Sequence, residues 1–76
     1  MMKEDNPLSP REREVLSLLS QGITQREISK RLHRSINTIA WHRKNILKKL
    51  GVRTTEAAIR LALERGLVSP PTRLPD

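Results

Sequence analysis

Apolar residues recur at three- and four-residue intervals along most of the chain, the period of an amphipathic helix, and polar punctuation cuts the pattern into four segments. Ser9-Pro10-Arg11-Glu12 has the form of a helix start: a Ser cap, Pro in the first turn where no N–H is needed, and Glu three residues after the cap. Val15, Leu16 and Leu19 continue at helical spacing and Gly22 closes the segment, which predicts a first helix over about 10–20. Thr24-Gln25-Arg26-Glu27 reads as a second capping box, with Ile23 before the cap and Ile28 at the fourth helical position placed to form a hydrophobic staple. This second helix is short, about 25–32, with Ile28 and Leu32 one turn apart and a connection through His33-Arg34 to a further cap at Ser35.

The third segment, about 36–50 and closed by Gly51, is the longest. At about 100° per residue Ile39, Ile46 and Leu50 fall on one side with Leu47 at its margin, while Asn37, Trp41, Lys44 and Lys48 fall roughly opposite. One edge is therefore core, and the other is exposed and basic. A fourth helix, about 55–65, is capped by Thr54 or Thr55 and ended by Gly66. Its apolar residues exceed one stripe: Ala58, Leu61 and Ala62 can face the core, which leaves Ile59 and Leu63 for a second surface such as a dimer seam. No strand is predicted, so the fold class is all-α, a four-helix domain. Residues 1–7 and 69–76 are rich in turn formers and poor in apolar side chains, so both ends are expected to be flexible around a domain spanning 8–68.

Charge sharpens this picture. The chain carries 15 Lys plus Arg against 8 Asp plus Glu, for a formal charge of +7. The stretch from Arg26 to Arg53 alone holds nine basic residues and a single acid, Glu27. Charge segregated into one stretch marks a surface for an anionic partner. With 76 residues and one aromatic, Trp41, there is material for a single thin aliphatic core and little for stacking on single-stranded bases.

Other chemistries find no support. Cysteine is absent, which removes disulfides, zinc–thiolate sites and thiol nucleophiles. His33 and His42 lie nine positions apart with no partner carboxylate in sequence reach, so no metal site, no cofactor and no enzyme activity are expected. Glu12 and Glu14 are read as capping and pairing with nearby Arg. No apolar run is long enough for a membrane span or a signal peptide, so no membrane role is expected and a cytoplasmic location is.

A short helix, a connection of three or four residues and a longer helix with a basic outer face together make the layout of a helix-turn-helix, whose second helix enters the major groove of duplex DNA. The residues carry a closer likeness. LSPREREVL, Gly22, Glu27-Ile28, Leu32, Ser35, Thr38-Ile39, His42, Asn45-Ile46 and Lys49-Leu50-Gly51 together resemble the LuxR-type helix-turn-helix family of bacterial regulators, also called the FixJ or NarL output domain. The likeness runs from Leu8 to Val68. It implies a response-regulator type of output domain in which the third of four helices reads DNA, with base contacts at the positions of Ala40, Trp41 and Lys44 and a phosphate contact at Thr38. In that family the domain commonly follows a receiver or small-molecule-binding domain. The family usually has Lys or Arg where this chain has Ala40, and a small or β-branched residue where it has Trp41, so the target sequence does not transfer.

Taken together, Asn37, Ala40, Trp41, Lys44 and Lys48 are the expected base readers. Thr24, Arg26, Arg34, Ser35, Thr38 and Arg43 are the expected phosphate ligands, supported by Lys30 and Arg31. Trp41 has two readings, pressing on a thymine methyl or leaning on a neighbouring helix. The expected partner is double-stranded DNA, bound by a homodimer through the fourth helix, with RNA polymerase as a further partner. Two alternatives stand beside this: a domain like region four of a sigma factor, whose helix-turn-helix also opens on a run like LSPRER, and a protein-interaction adaptor that holds an acidic partner.

Overall fold

The computed structural model describes residues 7–68. The flexible segments expected at 1–7 and 69–76 therefore fall outside the described residues, apart from Pro7. Four helices follow one another: α1 (Pro10–Ser20), α2 (Gln25–Leu32), α3 (Ile36–Leu50) and α4 (Thr55–Glu64). The first three begin and end where the periodicity placed them, and α4 stops one residue earlier.

Each helix starts on a hydroxyl cap. The side chains of Ser9, Thr24, Ser35 and Thr54 accept from the backbone N–H of Glu12, Glu27, Thr38 and Ala57, satisfying donors that have no partner within the helix. Thr54 is thus the cap of α4, and Thr55 its first residue. At Ser9 the box is complete, because Glu12 Oε1 also accepts from the Ser9 N–H at 2.9 Å. The box expected at Thr24 is only half made: Glu27 turns its carboxylate toward Arg31, 3.5 Å away, and Thr24 receives the single bond from the Glu27 N–H.

All four helices also end alike. Ile23, Arg34, Val52 and Leu67 each donate a backbone N–H to the carbonyl five residues back, at 3.2, 2.9, 3.0 and 2.8 Å, the signature of a Schellman closure around a left-handed residue. Gly22, Gly51 and Gly66 supply that residue in α1, α3 and α4. In α2 it is His33, at φ 56 and ψ 45, the one non-glycine residue with positive φ among those described. The sequence reading took His33-Arg34 merely as a passage to the next cap. A histidine standing where glycine is usual conceals the stop signal, although His is among the side chains that enter this region more readily.

Helix α3 is the centre of the molecule. It packs against α1, α2 and α4, whereas α2 and α4 do not meet. The core comprises Leu8, Val15, Leu16, Ile28, Ile39, Ile46, Leu50, Ala58, Ala62 and Val68. Leu19, Leu32, Leu47 and Leu61 close its margins as half-buried residues. Each fully buried Leu or Ile contributes on the order of 1.5–3 kcal/mol. With five large side chains fully enclosed among the described residues, every one counts heavily.

A partly buried ion pair links the first helix to the third. Lys49 Nζ donates to Glu12 Oε1 at 2.7 Å, and the Glu12 side chain is 6% exposed. Burial by itself pushes this carboxyl's pKa up, but the hydrogen bond and charge of Lys49, with the Ser9 backbone N–H and hydroxyl, outweigh it and hold the group below the usual carboxylate range. The expectation that Glu12 pairs with a nearby Arg is corrected here: its partner comes from 37 positions away, which no local spacing announces. Glu14 does pair locally, with Arg11 at 3.2 Å.

Candidate nucleic-acid interface

The connection between α2 and α3 is three residues, His33, Arg34 and Ser35, and all three are exposed. It holds the start of α3 at the surface while Ile39, Ile46 and Leu50 anchor the opposite edge in the core. Asn37, Trp41, Lys44 and Lys48 are all exposed on that outer edge, and Ala40 is half-buried at its side. The arrangement of α3 read from the sequence is the arrangement found.

Trp41 is 59% exposed. Its ring meets the His42 ring edge to face, with centroids 5.2 Å apart and planes at 63°. Its ring partner is therefore the next residue of α3.

At the start of α3, the hydroxyls of Ser35 and Thr38 lie 3.0 Å apart, and Ser35 Oγ also accepts from the Thr38 N–H at 3.1 Å. Thr24 and Arg26 at the start of α2 are exposed, as is Arg34 in the turn. The exposed starts of α2 and α3, with Arg26 and Arg34 among them, have the charge and free N–H groups that suit phosphate oxygens.

The structure thins the basic stretch seen in the sequence. Lys49 is tied to Glu12, and Arg31 sits 3.5 Å from Glu27. Arg43, expected among the phosphate ligands, is half-buried and turns toward α4, with one guanidinium nitrogen 3.4 Å from Thr55 Oγ1. Its Nε is buried without a partner. The reason is angular: position 43 lies four residues after Ile39 and three before Ile46, on the inward side of α3. Arg26, Lys30, Arg34, Lys44 and Lys48 form no ion pair among the described residues and are all exposed.

The second surface expected on α4 is narrower than its sequence suggests. Ile59, Leu61 and Leu63 are all partly buried against the core, and none ranks among the exposed large apolar residues. His33 and His42 belong to no cluster of metal-ligating side chains among the described residues. No helix among those residues is long and apolar enough to cross a membrane.

Known proteins share this arrangement. The transcriptional regulatory protein MctR of Rhizobium johnstonii is 47% identical over 64 residues, covering 84% of this chain and 30% of MctR. The uncharacterized response regulatory protein YgeK of Escherichia coli K12 is 43% identical over 63 residues, covering 83% of this chain and 43% of YgeK. The chain thus spans less than half the length of these curated relatives. The solved structure of the transcription factor GerE superposes with a TM-score of 0.78 at 37% identity, covering 82% of this chain and 92% of that one. A second solved structure, a Vibrio cholera VqmA–ligand–DNA complex, gives a TM-score of 0.76 at 31% identity over 88% of this chain and 29% of that one. These relatives are regulators rather than enzymes. Residues 6–62 match the family described as bacterial regulatory proteins, luxR family, which decides against the sigma-factor alternative: the chain belongs to the luxR family.

Proposed function

We propose that this chain binds double-stranded DNA in a sequence-specific manner in the control of transcription, with α3 laid in the major groove. The observation that carries the reading is the outer edge of α3, where Asn37, Trp41, Lys44 and Lys48 stand exposed beside Ala40, opposite a fully buried Ile39. A major groove about 12 Å wide admits a helix presented in this way. In support, VqmA, one of the similar proteins, is described as a complex with DNA.

In this reading Asn37, Ala40, Trp41, Lys44 and Lys48 meet base edges. Thr24, Arg26, Arg34, Ser35 and Thr38 hold backbone phosphates and set the register of the helix. Arg43 reaches a phosphate only by leaving Thr55. The chain acts as a homodimer on two half-sites about one helical turn apart, paired along the Ile59–Leu63 edge of α4. It works in the cytoplasm, needs no cofactor, and meets RNA polymerase as a further partner.

Selection of bound duplexes from a random pool, repeated with Trp41→Ala and Lys44→Ala, tests this. The wild type is expected to select one motif with a repeat spacing, and each variant to relax a different position. No motif, with equal binding by all three proteins, sinks direct reading by α3. Binding to an acidic protein that duplex competitor leaves unchanged favours the adaptor alternative instead.

A further inference from the structure

Among the described residues two large apolar side chains stand exposed, Ile36 at 43% and Trp41 at 59%, and both are on the first half of α3. The chain has one aromatic residue and an aliphatic core, so its largest apolar surface is held outside rather than used in packing. The indole is also not free to swing at random, because the His42 ring braces it edge to face. A braced side chain loses less conformational entropy when something covers it. Ala40 lies one turn from Ile36, and its single methyl leaves the ground beside the indole low enough for close approach.

The surroundings of this patch say what covers it. Lys44 and Lys48 continue the same edge, and Arg26 on α2 and Arg34 in the turn before α3 are exposed as well, none of the four in an ion pair among the described residues. A second copy of the same face would set like charges against each other, so the occupant is anionic yet carries an apolar group at its centre. Duplex DNA offers one such group in its major groove, the C5-methyl of thymine. The polar member of the patch agrees: the Asn37 carboxamide has the donor and acceptor that pair bidentately with adenine N6 and N7.

We infer that the first half of α3 is a thymine reader, in which Trp41, with Ala40 beside it, seats the C5-methyl of an A·T pair in each half-site. This inference rests on the major-groove reading above and adds the class of base pair that the site takes. Discrimination then comes from apolar contact with a methyl group, with Lys44 and Lys48 supplying charge further along the helix.

The test uses the full chain and the duplex it selects from a random pool. Each thymine of the half-site is replaced singly by deoxyuridine, which keeps every hydrogen-bonding group and deletes only the methyl. At one or two positions binding is expected to weaken about four-fold, which corresponds to about 0.8 kcal/mol for one buried methyl-sized group. Trp41→Ala is expected to bind more weakly and to lose that sensitivity, while Lys44→Ala binds more weakly and keeps it. Circular dichroism and a thermal melt confirm that both variants are folded, as expected for surface substitutions. Equal affinity for uracil and thymine at every position overturns the inference, and so does undiminished methyl sensitivity in Trp41→Ala. A selection that yields no motif overturns the major-groove reading itself, and is told apart from a motif that merely ignores the methyls.

Discussion

Lys49, in the last turn of α3, holds the buried carboxylate of Glu12 in the first turn of α1 at 2.7 Å, so a single contact joins the cap of the first helix to the far end of the third. Glu12 in turn accepts from the Ser9 N–H, and three structural tasks converge on one side chain: capping α1, neutralising Lys49 and fixing the two helices against each other.

Glu12→Gln is therefore expected to destabilise the domain by about 1–2 kcal/mol, the range for losing a charged hydrogen bond and part of a cap. The pH dependence has a definite sign. Because the folded pKa is depressed, the carboxylate's contribution is fully present above the ordinary glutamate value and is lost as pH falls below it through the folded pKa. Thermal melts across acid pH should show wild-type stability declining more steeply there than that of Glu12→Gln. Parallel curves would deny Glu12 this role.

The same pairing separates basic residues that a charge count treats as equal. If about six phosphates are neutralised per monomer, the log–log salt slope of binding is about −5. Arg26→Ala and Arg34→Ala, which remove cations assigned to phosphates, should each make the slope shallower by about 0.9, whereas Lys49→Ala should leave it nearly unchanged and lower the melting temperature instead. Fluorescence anisotropy titrations at four or five salt concentrations measure this. A slope change in Lys49→Ala as large as in Arg26→Ala would mean that the pair with Glu12 opens on DNA.

His33 closes α2 in a left-handed conformation. Glycine enters that region without a Cβ penalty but loses more chain entropy on folding, so His33→Gly is expected to gain only about 0.5 kcal/mol. A β-branched residue has no such tolerance, and His33→Val should lose about 1–2 kcal/mol. Chemical denaturation of the two variants beside wild type gives the order, and His33→Val at least as stable as wild type would contradict the assignment of this closure.

Pairing along α4 is open to a charge. Ile59 is only half-buried, so Ile59→Glu should leave most of the fold intact and abolish cooperative binding to a two-half-site probe, with single half-site affinity changed less than three-fold, about 0.6 kcal/mol. Gel-shift titrations on probes with one and two half-sites separate these effects. Unchanged cooperativity removes α4 as the seam.

Local signals in the chain were sufficient for the four helices, because caps, glycine stops and apolar periodicity act within a few residues of one another. Ser9, Thr24, Ser35 and Thr54 each bond three positions ahead, and an interaction of that range is written in consecutive letters. The edge of α3 that carries Trp41, Lys44 and Lys48 was legible for the same reason, since helical geometry and the burial of Ile39 leave it nowhere but outside. Tertiary structure alone decided which charges are spent inside the molecule. Glu12 and Lys49 stand 37 positions apart, and Arg43 is drawn to Thr55 only because α4 packs beside α3. It also decided that Ile59 and Leu63 sink partly into the core, since how far a second stripe is covered depends on how neighbouring helices cross.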